Sequence, residues 1–79
     1  MNVQFPVFRK LSNSKVFYNI ISSMEFEEIQ LMGSKLNFSS HKAIQYPEKL
    51  KIMDLINLEE SFLESSENEW EELKNRIIV

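Results

Sequence analysis

Seventy-nine residues, 43% hydrophobic and including six Phe, two Tyr and one Trp, describe one small folded domain, and a single glycine with two prolines excludes a low-complexity or disordered chain. With no cysteine there is neither a disulfide nor a thiolate zinc site. A chain this short buries only roughly 60–65% of the surface its unfolded form exposes, so spare surface is expected to meet a partner or a second copy.

The net charge of −3 is unevenly spread. Residues 1–53 carry seven basic against four acidic groups, whereas residues 54–79 carry eight acids against Lys74 and Arg76. Such polarity concerns partners and not fold. In the opening MNVQFPVFRKL the basic Arg9 and Lys10 follow the apolar residues, and no apolar run of roughly 7–15 residues comes after them, so no secretory signal is expected. Nothing approaches the roughly 20 apolar residues of a spanning helix. A soluble cytoplasmic protein without membrane association is the expectation.

In chain order, Pro6 suits an edge strand or a strand start, because it cannot donate to a ladder. Ser12-Asn13-Ser14 is a polar break in which Asn13 can take the left-handed conformation. KVFYNII alternates Val16, Tyr18 and Ile20 against Phe17 and Ile21, which predicts a β-hairpin with the first run. For residues 26–32 the spacing of Phe26, Ile29 and Met32, a capping box of Ser22 with Glu25, and Gly33 as a C-cap predict a helix. A half-buried strand is the alternative for the same segment. Leu36 and Phe38 alternate with polar neighbours and predict the next strand.

Pro47 at the first helical position and Glu48 in the first turn open a helix whose Leu50, Ile52, Met53, Leu55 and Ile56 form a broad apolar face. SFLE is a short edge strand. Ser66 and Glu69 form a capping box for a last helix, with Trp70, Leu73 and Ile77 as its apolar stripe. The expected order is β-β-α-β-α-β-α, an α+β domain over residues 1–79 with a mainly antiparallel sheet covered by helices. With FPVFRKLSN, FEEIQLMG, QYPEKLKIMDLI and SENEWEEL in succession, most of the chain resembles short bacterial α+β proteins of unassigned function. That resemblance implies a fold and carries no catalytic residue across.

Chemistry is narrowly bounded. The only histidine, His41, shares a strand face with Ser39 at about 7 Å, too far for direct proton transfer, and no G-x-S-x-G elbow exists. The calcium-loop pattern fails at Asp54-Leu55-Ile56-Asn57 for want of a glycine, and one glycine builds neither G-x-G-x-x-G nor a Walker loop. No catalytic residue, metal site or cofactor is expected. Arg9, Lys10 and Lys15, with Phe8, Phe17 and Tyr18 beside them, form the candidate nucleic-acid surface, opposed by a pI near 5.1. Lysines that guard an edge strand explain the same residues. Acids on the polar face of the last helix repel anionic lipid.

The reading that remains is a non-enzymatic module for protein–protein interaction or self-association. Its candidate partner-binding residues are Glu64, Glu67, Trp70, Glu71 and Glu72, with Glu59 and Glu60 extending the acidic stretch and Ile77-Ile78-Val79 offering apolar surface. Trp70 is most simply the core anchor of a docked helix.

Overall fold

The computed structural model describes residues 4–59 and 61–78, with the backbone alone for Ile78. Four successive strands, β1 (Val7–Leu11), β2 (Val16–Ser22), β3 (Glu25–Met32) and β4 (Lys35–Lys42), form a meander. Helix α1 (Tyr46–Ile56), strand β5 (Phe62–Glu64) and helix α2 (Glu67–Ile78) follow. The sheet runs β4-β3-β2-β1-β5 with every neighbour antiparallel. Among the described residues the fold is thus α+β with five strands and two helices, and β1 is interior, so Pro6 marks a strand start.

Residues 26–32 are strand, which corrects the helix expectation for that segment. Phe26 and Ile29 look like neighbours on a helix, but they enter opposite cores: Phe26 packs with Tyr18 and Ile20, Ile29 with Phe17 and Trp70. Where a strand buries residues on both faces, as here at Phe26 and Ile29, it loses the simple alternation that betrays a half-exposed one. Gly33 does have positive φ, 64°, but in the two-residue turn between β3 and β4. The Ser22–Glu25 capping box is absent too; the Ser22 hydroxyl instead accepts the Met24 N–H in the preceding hairpin turn. In the first turn it is Ser14, at φ 58°, and not Asn13 that is left-handed, while the Asn13 side chain accepts the Lys15 N–H.

The helices lie on opposite faces of the sheet. Ile52 and Leu55 of α1 pack on Tyr18, Ile20, Phe26 and Phe62; Trp70 and Leu73 of α2 pack on Phe17 and Ile29. Lysine stems seal the rims, with the Lys51 ammonium 5.3 Å from the Tyr18 ring centre, Lys10 at 5.9 Å from Phe17 and Lys74 at 6.0 Å from Phe38.

Both ends of α1 are tied. Its Glu48 carboxylate accepts the Ile44 and Gln45 N–H groups. At the other end Glu59 N–H bonds the Asp54 carbonyl and Leu58 N–H the Leu55 carbonyl, the paired 6→1 and 5→2 pattern that ends many helices. The Arg9 guanidinium donates to the Leu55 and Ile56 carbonyls, so β1 itself caps α1. That termination puts Leu58 at φ 57°, where a side chain is strained and glycine is the usual occupant. Leu58→Gly is therefore expected to raise stability by about 0.5–1 kcal/mol, read as an upward shift of the urea midpoint at unchanged m-value; a loss of stability would show that Leu58 packing outweighs its backbone strain.

Candidate interaction surface

The acidic residues and the tryptophan part company in the fold. Glu64 is exposed on β5, and Glu67, Glu71 and Glu72 are exposed on α2, whereas Trp70 is 2% exposed against Phe17, Ile29 and Leu73. Trp70 is a core anchor, and its indole N–H finds no acceptor among the described residues. Ile77 is half-buried against the same core; Glu60, Val79 and the Ile78 side chain lie outside the described residues.

The α2 N-terminus also explains Glu69. The Ser66 hydroxyl accepts the Glu69 N–H, which is half of the expected capping box. The Glu69 carboxylate turns instead to the Ser65 hydroxyl at 2.8 Å and the Lys10 ammonium at 3.2 Å. The Ser65 hydrogen bond foremost, and Lys10 after it, hold this carboxyl below its usual range.

The basic hairpin is largely spent on the fold. Arg9 caps α1 and Lys10 bridges to Glu69, leaving Lys15 as the member of the three that stands exposed. A phosphate-binding surface built on Arg9 and Lys10 has to break contacts that join the sheet to both helices, which weakens the nucleic-acid reading.

On the α1 side of the sheet, beyond the helix, Glu28, Ser39 and His41 meet across β3 and β4. His41 Nε2 lies 3.0 Å from Ser39 Oγ and 3.4 Å from Glu28 Oε1, and its ring stacks on Phe26 at 4.9 Å. The serine and the histidine do touch, contrary to the 7 Å backbone spacing, because the imidazole reaches back along the strand. Yet hydroxyl and carboxylate address the same ring nitrogen, whereas a relay places the acid on the other one. The arrangement is a hydrogen-bonded cluster around Glu28, a carboxylate only 7% exposed. Burial first, and the Glu28 charge second, push the neighbouring Tyr18 hydroxyl up to about 12.

The feature that composition did not mark is the outer side of α1. At 100° per residue, Ile52 and Leu55 point to the sheet, and Tyr46 and Met53, with Leu50 between them at i, i+4 and i+7, lie on the outer side, Leu50 also bordering a cleft with Leu11, Tyr18 and Phe62. Their exposures are 73%, 39% and 56%, and Ile44 just before the helix is 75% exposed. The broad apolar face expected for this helix is therefore two faces, one buried and one open. The signal in the sequence was its width: apolar positions spread over more than half the circumference of a helix need cover on two sides.

No family model, no curated protein and no solved structure matches the chain. No helix among the described residues is long and apolar enough to cross a membrane.

Two outcomes follow from this geometry. Trp70→Ala should cost about 3–5 kcal/mol of stability and Trp70→Phe far less, since no hydrogen bond is lost; full stability in the alanine variant would return Trp70 to the surface. With a Tyr18 pKa raised in the folded state, its contribution is intact below about pH 10, and the protein loses stability as pH climbs from there towards about 12. In a Tyr46→Phe background the phenolate absorbance should report that late ionisation, and alkaline unfolding should be blunted in Tyr18→Phe.

Proposed function

We propose that this protein is a non-enzymatic interaction module of the cytoplasm that takes another protein, or a second copy of itself, against the outer face of α1. One observation carries the reading: Tyr46, Leu50 and Met53 are large, exposed apolar side chains on one side of a short helix, and Ile44, just before it, is exposed as well. Anchors at i, i+4 and i+7 are the pattern by which helices dock into grooves or against each other. Tyrosine adds an amphipathic contact with few rotamers to freeze.

The acidic surface has a second part in the proposal. Glu67, Glu71 and Glu72 are exposed on α2, on the opposite face of the sheet from α1, and Glu64 on β5. They steer a basic partner by charge and add little affinity each. The His41 cluster supports a structural role better than a catalytic one, because its hydroxyl and carboxylate compete for one nitrogen.

Sedimentation velocity across a concentration series, with capture from host lysate alongside, tests the reading. Leu50→Glu with Met53→Glu should abolish dimerisation or the captured partner while far-UV circular dichroism and the unfolding midpoint stay close to wild type. Retention of every association by this variant overturns the α1 surface, and loss only on changing Glu64, Glu67, Glu71 and Glu72 to Gln moves the site to the acids.

A further inference from the structure

We infer that the free edge of β4 binds an acidic, extended segment of another protein by strand addition. The inference rests on the interaction-module reading but uses a surface separate from the outer face of α1. β4 pairs with β3 through eight consecutive positions without a bulge, holds no proline, and has no second strand neighbour among the described residues. The opposite edge, β5, is only three residues long.

The hydrogen-bond phase of this edge is readable. Leu31 N–H is directed to the Lys15 carbonyl, away from β4, so Leu31 and its opposite number Leu36 form a non-hydrogen-bonded pair. Because such pairs alternate, Leu36, Phe38, Ser40 and Lys42 turn their N–H and C=O groups outward. Ala43 N–H, bonded inward to the Met24 carbonyl at 2.6 Å, agrees with that phase. Four residues thus present donors and acceptors in the spacing an incoming strand needs.

Charge selects the occupant. Lys35 and Lys42 are exposed at the two ends of β4, Lys74 reaches over Phe38, and Arg76 shares a cleft of about 290 Å³ with Lys35, Leu36 and Asn37. None of these four cations has a carboxylate within ion-pair distance among the described residues, and β4 itself carries no acid. The nearest acids by register are Glu25 and Glu27, one strand inward, and Glu28, which His41 engages. Glu72 borders Arg76 in a second cleft. Lysines on an edge repel a like edge, and symmetric pairing of two β4 strands brings all four cations of both copies to one seam. An acidic strand meets the same charges favourably, and Phe38, 41% exposed, offers its ring to an apolar side chain between the acids.

The probe is a capped eight-residue peptide alternating Glu and Val, with a Lys–Val peptide as control, titrated into 15N-labelled full chain at low salt. Amide exchange at Leu36, Phe38, Ser40 and Lys42 should slow on adding the Glu–Val peptide, while Asn37, Ser39 and His41 are protected throughout. Lys35→Glu with Lys42→Glu should weaken binding roughly tenfold. Ser40→Pro should block it without unfolding, since that N–H faces away from β3. Leu50→Glu with Met53→Glu should bind the peptide as wild type does, so failure at α1 and failure at β4 are separate results. Equal binding of the Lys–Val peptide, or slowing without the alternating pattern, overturns the proposal. So does protection of the same four amides that rises with protein concentration alone, which would assign the edge to a second copy.

Discussion

Two short helices have to cover both faces of a five-stranded sheet, and most features of this protein follow from that shortage. Five strands about 4.8 Å apart make a sheet roughly 20 Å wide, and a helix is about 10 Å across. One helix of 11 residues and one of 12 are therefore each too narrow for the face they lie on. Where α1 stops, the sheet surface turns polar, and Glu28, Gln30, Ser39 and His41 satisfy one another there in place of an apolar layer. Lysine stems close the rims of both cores, which keeps aromatic edges dry without additional chain.

Placement of the helices depends on a few polar ties. Arg9 lies on the α1 side of β1 and holds the last carbonyls of that helix; Lys10, the next residue and on the other side, holds Glu69 at the first turn of α2. Consecutive residues of one interior strand thus anchor both layers. This is why the basic character of the first hairpin does not translate into a free basic surface. Among the described residues, Lys35, Lys42, Lys74 and Arg76 lie without an ion pair around β4, and Tyr46, Leu50 and Met53 are exposed together on α1.

Much of the architecture was legible from residues. Val16 to Ile21, Leu36 with Phe38, and Trp70 with Leu73 and Ile77 each carry a period that matches the element formed. Phe26 to Met32 imitates a helix because Phe26 and Ile29 are buried on opposite faces of the strand, so the apolar residues do not alternate as they do in a half-exposed one. The apolar face of α1 runs out at about Leu58, near the helix end, but nothing about a leucine marks the left-handed position it takes there. Ser39 and His41 were judged from backbone spacing, which says little about where a five-membered ring will swing.

What the residues alone determined is the class of object: an α+β chain without cysteine, split into a basic front and an acidic rear, with a last helix carrying an apolar stripe of Trp70, Leu73 and Ile77. Local periodicity and charge are properties of neighbours in sequence, so they survive without the fold. Only the tertiary structure decided that Met53 faces solvent while Ile52 and Leu55 do not, that Arg9 and Lys10 are consumed internally, and that β4 is, among the described residues, a long sheet edge beside four cations without an ion pair. Each of those depends on which distant segment arrives to cover a given face. That choice is made by the sum of packing over the whole sheet, and no single stretch of the chain contains it.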